Sequence, residues 1–461
     1  MRGGTAFILL LLLLTATPAA QTANPEKTET AESPATPTAH EPKTASDTTQ
    51  PSASKDTEQK VSDLQGSVEG TNEGMAEMRP AIESLRKIKL TGYLQAQYQW
   101  AESPGARTFA GGDFPAQTDS RFAVRRGRIK FNYDNVLTQY VVQVDATERG
   151  LALKDAYVSL REPWLQAFGF TAGVFDRPFG FEISYSSSNR ESPERTRLFQ
   201  TLFPGERDLG AKFEVMPQTG WGQYFNFKGG WFVGNGVAAE TDSKKDFIGR
   251  VGFQIPIVSK SLAIDGGFSS YQGAVRLDDG KSAFVLSSPS SFQTVTSQRH
   301  FERDYYGFDL QLYYDLPVIG GMSFRTEYIQ GEQPGTAGSS AGYRVGNGDL
   351  FLRDFDGYYF WYVQNVGERN QFVAKYDVYD PNTEVKGADI GLAANPKLSA
   401  ADLRYDTFGL GWIHHWDANI KFVAYYDFVT NEKVNATTTT LQPYLSDLKD
   451  NVFTFRVQYK F

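Results

Sequence analysis

Residues Asn451–Phe461 read NVFTFRVQYKF. Phe453, Phe455, Val457, Tyr459 and Phe461 alternate with Thr454, Arg456, Gln458 and Lys460. Neighbouring side chains on a strand point to opposite faces, so this segment has one oily face and one wet face. An edge strand of a soluble sandwich could carry the same pattern. The fold is decided by what the oily face meets, a protein core or lipid.

The alternation recurs along most of the chain. Lys89–Trp100 reads KLTGYLQAQYQW, with Leu90, Leu94, Ala96, Tyr98 and Trp100 on one face and Thr91, Tyr93, Gln95, Gln97 and Gln99 on the other. Ile420–Phe428 reads IKFVAYYDF, with Ile420, Phe422, Ala424, Tyr426 and Phe428 opposite Lys421, Tyr425 and Asp427. Long polar side chains are costly to bury in a dry core but cost little beside a watery lumen. Strands are expected near 90–100, 121–133, 137–147, 152–161, 166–176, 208–216, 222–235, 246–255, 260–272, 304–316, 321–331, 357–365, 368–378, 405–415, 419–429 and 449–461. That is sixteen, an even number of the kind bacterial barrels use.

The connections carry more information than the count. Those after odd strands are mostly long (101–120, 177–207, 273–303, 332–356, 379–404 and 430–448), with a short one at 148–151. Those after even strands are short, such as Asp134–Val136, Glu162–Leu165 and Val366–Glu368. Short turns at one end and long loops at the other are how outer-membrane barrels are built. A soluble propeller would repeat a blade motif at a fixed period, and none is visible. The expected fold class is therefore all-β, a 16-stranded antiparallel transmembrane β-barrel. Its last strand closes on its first, with the oily face toward outer-membrane lipid. Aromatic runs such as Tyr358–Trp361 and Tyr425/Tyr426 are expected as girdles at the membrane interfaces.

The N-terminal part reads differently. Arg2 precedes the apolar run Ala6–Leu14, and small residues follow, with Ala19, Ala20 and Ala23 as candidate ends of a cleavage site. This predicts a secretory signal peptide over 1–20, its apolar core being too short for a membrane helix of about 20 residues. Residues 21–60, rich in Thr, Ala and Pro, are expected to form a disordered linker. Val61, Leu64, Val68, Thr71, Met75, Met78, Ile82 and Leu85 fall on heptad a and d positions, predicting a short helical or coiled-coil segment over 61–87. Gly66, Gly70, Gly74 and Pro80 weigh against a regular helix there. The barrel is expected over 88–461. There is no cysteine, which excludes disulfides and an acylated N-terminal cysteine. A net charge of −8 carries no basic field for nucleic acid, and four His leave little for metal chemistry.

Ser120–Tyr133 reads SRFAVRRGRIKFNY, with five cations and no acid. Arg126, Arg128, Lys130 and Asn132 share a face, while Ile129, Phe131 and Tyr133 take the other. A ladder of cations facing a pore favours anions, and Arg holds phosphate oxygens bidentately. Phe122 and Val124 share the parity of Arg126, which predicts a bulge in the upper part of this strand. The plainer reading is that acids on neighbouring strands, such as Asp145 and Asp155, balance the ladder. Arg177–Arg207 is the longest early loop, with Arg177, Arg190, Arg195, Arg197 and Arg207 set against Glu182, Glu191, Glu194 and Glu206. A loop of this length is expected to fold into the lumen and narrow it.

FAVRRGRIKF (Phe122–Phe131), LKDAYVSLREP (Leu153–Pro163), AGVFDRPFGFE (Ala172–Glu182), SSSNRESPERTRLFQTLFPGERDLG (Ser186–Gly210), FVAKYDVYDPN (Phe372–Asn382) and the terminal FRVQYKF resemble the phosphate-selective porin O and P family. The resemblance runs from about Ile88 to Phe461 and is most specific over Leu153–Gly210. It implies a homotrimeric outer-membrane porin with an inward-folded third loop. It makes Arg126 and Arg128 pore-lining and places Arg195, Arg197 and Arg207 in the constriction region. Phe461 resembles the terminal signal read by the barrel-assembly machinery. Because the loop is not a run of Arg alone, the expectation is a preference for small anionic solutes rather than strict phosphate selectivity.

No cofactor is implied. His414 and His415 are adjacent and point to opposite faces, His300 lies in a loop and His40 in the linker, and none has a motif around it that would mark an enzyme. Asp377, Asp380, Asn382 and Glu384 have calcium-like spacing without the full loop pattern. The rival readings are a non-selective porin, and a structural or adhesive barrel with a plugged lumen. Residues 21–87 would suit a tether to periplasmic cell-wall material.

Overall fold

The structure, a computed structural model, describes residues 53–288, 291–296, 298–342, 348–393, 397–435 and 439–461. The expected signal peptide and residues 21–52 of the expected linker, with His40, lie outside them. Helix α1 (Ala53–Arg86) begins inside the stretch expected to be disordered. The correction has a local cause. Ala53–Lys60 reads ASKDTEQK, in which Ala, Lys, Glu and Gln favour helix and the acids complement its N-terminus. The helix continues through Gly66, Gly70, Gly74 and Pro80. Its apolar residues Leu64, Val68, Met78 and Leu85 are exposed. No helix among the described residues is long and apolar enough to cross a membrane, which says nothing of a barrel.

From Ile88 the chain is strand after strand. β1 (Ile88–Ala101), β2 (Ser120–Asn135), β3 (Thr138–Thr147), β4 (Gly150–Arg161), β5 (Phe168–Asp176), β6 (Arg207–Val215), β7 (Phe225–Phe232), β8 (Asp246–Ile257) and β9 (Leu262–Arg276) follow as antiparallel neighbours. A hairpin, β10 (Ala283–Ser288) and β11 (Ser291–Val295), interrupts them. β12 (His300–Leu316), β13 (Gly320–Gly335), β14 (Leu350–Val366), β15 (Asn370–Asp380), β16 (Tyr405–His415), β17 (Ile420–Asn431) and β18 (Val452–Lys460) resume the series. β9 pairs with β12, and β18 pairs with β1 in register Tyr93↔Lys460 to Ala101↔Val452, so sixteen strands close into a barrel.

The oily face of the opening segment looks out. Phe455 and Tyr459 are 40% and 47% exposed, while Thr454, Arg456 and Gln458 are buried inside. Leu94, Phe131, Phe213, Phe268, Phe308, Phe360, Trp412 and Phe428 are exposed on other strands. Apolar surface of this extent, strand after strand, is stable against lipid and not against water.

Three differences from expectation have physical reasons. The β10–β11 hairpin occupies what reads as loop 273–303, and β10 adds in parallel to β14 through Ala283↔Leu350 and Val285↔Leu352. That pairing is long-range, so local periodicity carries no sign of it. Leu286 of the hairpin joins Val385, Ile390, Leu398, Leu403, Val434 and Leu441 from later loops in an apolar cluster, giving the long-loop end a small core of its own. The aromatic runs also split by parity. Phe360 is exposed, but Tyr359, Trp361 and Tyr425 are buried inside and are not girdle residues.

Candidate functional site: the loop inside the barrel

The segment between β5 and β6 runs through the lumen. Its base is fixed by Arg177, whose guanidinium donates to Asp208 Oδ2 at 2.9 and 3.1 Å with both side chains fully buried. Gly180 follows at φ +60, and its N–H donates to Ser269 Oγ at 2.9 Å. A Cβ at this position would lie 2.4 Å from Glu327 Oε2, so glycine is required for the close approach. Glu327 of β13 in turn accepts the backbone N–H groups of Phe181 and Glu182 and the Tyr359 hydroxyl.

The far limb carries a short helix, α2 (Arg197–Leu202). Thr196 caps it, its Oγ1 accepting from Phe199 N–H at 3.4 Å while donating to Glu182 at 2.7 Å. Leu198, Phe199, Leu202 and Phe203 recur at helical spacing on one side and are buried. They pack with Phe179 and Ile183 against wall residues Tyr271, Tyr305, Phe355, Tyr359, Trp361 and Tyr425. The inner face of β7–β17 is therefore partly a dry aromatic core. The expectation of a uniformly wet inner face is corrected here, because the loop supplies the apolar partner that buries those rings.

The other flank is ionic. Glu194 of the loop receives three guanidinium groups: Arg125 at 2.8 and 2.9 Å, Arg126 at 2.7 Å and Arg456 at 2.9 Å. Burial alone would raise this carboxyl; Arg125, Arg126 and Arg456 override it and hold it well below the usual carboxylate range. Arg190, Lys375 and Lys421 donate to backbone carbonyls of the same loop. Arg325 of β13 binds Glu191 at 2.8 and 3.1 Å among the rings of Tyr185 and Trp361. Glu182, Glu327 and Asp377 are buried and, among the described residues, make no ion pair. The loop thus takes cations from β2, β17 and β18, while Glu327 of β13 and Asp377 of β15 accept its backbone N–H groups.

Of the residues expected to line a pore, Arg126 joins Glu194 and Arg128 pairs with Asp145 at 3.0 Å, as the balanced reading anticipates for Asp145. The expected bulge falls at Arg125, between the pairs Gln95↔Arg126 and Ala96↔Val124, which turns Arg125 and Arg126 toward the same carboxylate. Asp155, the other suspected balancing acid, pairs instead with Arg207 at 2.9 Å. Arg195 binds Glu206, Arg177 sits at the loop's base, and Lys130 is half-buried without an ion pair among the described residues. Arg197 lies over the rings of Phe109 and Tyr405. The structure therefore gathers Arg126, Arg195 and Arg197 along the loop but leaves Lys130 apart from it. Cations outside the expected set also hold the loop: Arg125, Lys375, Lys421, Arg456 and Arg325. The last two stand on the polar parity of an amphipathic strand, which is their only local signal.

The calcium-like residues do not converge. Asp377 accepts Arg197 N–H, Asp380 accepts Asn382 N–H, and the Asn382 side chain turns to Asp402. His414 and His415 bond the amides of Asn370 and Gln371. Among the described residues, two of the cavities that adjoin the loop are wide enough for a small molecule. One of about 470 Å³ lies among the long loops and is lined by Phe109, Arg197, Gln200, Tyr379 and Asp450. The other, of about 570 Å³, lies at the short-turn end beside Glu191, Tyr313 and Arg325.

Neither a protein-family profile nor a curated protein matches the sequence. Solved structures do resemble the fold. OprB of Pseudomonas putida aligns at a TM-score of 0.53 with 9% identity, over 83% of this chain and 96% of that one. An anion-selective porin from Comamonas acidovorans aligns at 0.49 with 14% identity, over 81% and 99%. The channel DcaP of Acinetobacter baumannii aligns at 0.49 with 9% identity, over 81% and 97%.

Proposed function

We propose that this chain is a bacterial outer-membrane porin, a water-filled channel for passive diffusion of small solutes, with a preference for anions. The single observation that carries the reading is the inside-out barrel with a loop drawn into its lumen: apolar side chains outside, and an ionic seam between loop and wall inside. Anion preference rests on the ratio at Glu194, where three guanidinium groups surround one carboxylate. A cluster with net positive charge in a narrow lumen raises the local concentration of anions. Membership in the phosphate-selective porin O and P family, homotrimeric assembly, export by a cleaved signal and recognition of Phe461 by the assembly machinery remain part of this proposal. So do the pore-lining roles of Arg126, Arg128, Lys130, Arg177, Arg195, Arg197 and Arg207, and the coiled-coil role of α1.

The test is planar-bilayer recording of the purified protein with reversal potentials in a potassium chloride gradient. A chloride-selective potential is expected, and a cation-selective one would overturn the preference. Replacing Arg126 and Arg128 by Ala should shift the reversal potential toward cations while the barrel stays folded, because each change leaves its carboxylate partner less compensated. The dry packing of α2 against the aromatic wall favours a second reading, a barrel with a plugged lumen. Folded protein that passes no current would select it.

A further inference from the structure

The cavity at the long-loop end is lined by four charged side chains, Arg107, Asp113, Arg197 and Asp450, of which Arg197 and Asp450 each leave a buried polar atom without a hydrogen-bond partner. Arg197 opens α2, with its guanidinium carbon 4.4 Å from the Phe109 ring centroid and 3.6 Å from that of Tyr405. Among the described residues it makes no ion pair, and its buried Nε has no hydrogen-bond partner. Asp450, in the connection before β18, is 4% exposed, and its Oδ1 is buried without a partner. Both residues line the same cavity, together with Tyr379, Tyr405 and Tyr444. Asp377 Oδ1 accepts the Arg197 backbone N–H at 3.2 Å, and its carboxylate makes no direct ion pair with the Arg197 side chain among the described residues.

Buried polar groups in folded proteins find partners, and an orphaned charged one calls for an explanation. Here two groups of opposite sign, near enough to attract one another but not hydrogen-bonded, each leave a buried polar atom without a partner beside one cavity of about 470 Å³. That volume lies within the roughly 300–1,000 Å³ of small-molecule sites. Rings over the guanidinium leave its N–H edge as the donor surface, and that edge matches a planar carboxylate. A carboxylate beside aromatic rings suits an ammonium group. We propose that this cavity is a binding site for a small zwitterion of the α-amino-acid class: Arg197 takes its carboxylate, Asp450 its ammonium, and the rings its side chain. The site deepens the channel reading, on which it rests for access from the lumen. It would hold permeating zwitterions on the long-loop side of the constriction.

Three probes that differ only in charge decide it. L-phenylalanine carries both groups, phenylacetate only the anion and phenylethylammonium only the cation. Calorimetric titration of the folded full chain in detergent should show L-phenylalanine binding at least about tenfold more tightly than either, the loss expected when a charged hydrogen bond is removed. Arg197→Gln and Asp450→Asn should each weaken L-phenylalanine by about tenfold or more, and Asp450→Asn should not weaken phenylacetate. If phenylacetate or phenylethylammonium equals L-phenylalanine, or if none binds saturably, the proposal is overturned. The wild-type series decides by itself should a variant fail to fold. Titration needs no conduction, so a channel that conducts without binding removes only this site. A barrel that binds L-phenylalanine but passes no current removes the channel reading and keeps the site.

Discussion

Glu194 is a single carboxylate facing three guanidinium groups, and two consequences follow from that ratio. Glu194→Gln would remove the compensating charge and leave three cations at the seam. The expected outcome is a reversal potential shifted further toward chloride, with the cost of a broken buried pair, about 3 kcal/mol, appearing as a lower urea midpoint. An unchanged potential would mean that permeating ions do not pass this cluster. The second consequence concerns pH. The folded carboxyl is held well below its unfolded value of about 4.3. Its pairing therefore stabilises the loop fully above that value and is lost only as pH falls through the folded, lower one. The difference in single-channel conductance between the wild type and Glu194→Gln should therefore be constant from about pH 8 to pH 5 and change only in stronger acid. A step near neutrality would assign control of the loop to another group. The sequence shows why Glu194 was hard to single out. It is one acid in a mixed-charge loop, and its partners Arg125, Arg126 and Arg456 are distant in sequence, on β2 and β18.

At the scale of elements, the strands were legible and the division of the lumen was not. Alternation is a local property, so each barrel strand could be read from a dozen residues, and the bulge at Arg125 showed as a slip in parity. Tyr359 and Trp361 carry the same letters a lipid-facing girdle would carry. What makes them core is α2, more than 150 residues earlier in the chain. Nothing within β14 announces that partner, and the β10–β11 hairpin was hidden for the same reason. The seam they form governs how firmly the loop is held. Phe199 stacks on Phe203 at 5.7 Å and meets Tyr359 edge-on at 6.4 Å. Phe199→Ala should cost about 3–5 kcal/mol of loop–wall packing, while the barrel ladder keeps its hydrogen bonds. The variant should migrate as folded protein in unheated SDS and yet show larger or noisier single-channel currents. A quiet channel of unchanged conductance would mean that the ionic flank alone positions the loop.

For the whole molecule, closure is the event on which lumen, belt and loop all depend, and it is made where β18 meets β1. Phe461 and Gly92 exchange backbone hydrogen bonds of 3.0 Å in both directions, extending the ladder one pair beyond Tyr93↔Lys460. The Phe461 ring lies over Gly92: a Cβ there would sit 2.5 Å from its Cζ and 2.5 Å from the backbone oxygen of Arg128. An aromatic covering a strand glycine in this way shields backbone that would otherwise meet lipid bare. The contact gives the terminal aromatic a role in the folded barrel, whatever its role in assembly. Gly92→Val tests it, because the new side chain meets a backbone atom that cannot rotate away. The expected result is a loss of about 1–3 kcal/mol in the urea unfolding of the barrel, with the ring displaced from its seat. Gly92→Ala should fall between the two. Val251→Lys, on the outer face of β8 and clear of the seam, should cost about 2–4 kcal/mol by lipid exposure alone, so it calibrates the measurement. If Gly92→Val unfolds at the wild-type midpoint, the ring over the glycine contributes nothing to closure, and the barrel is held shut by the ladder alone.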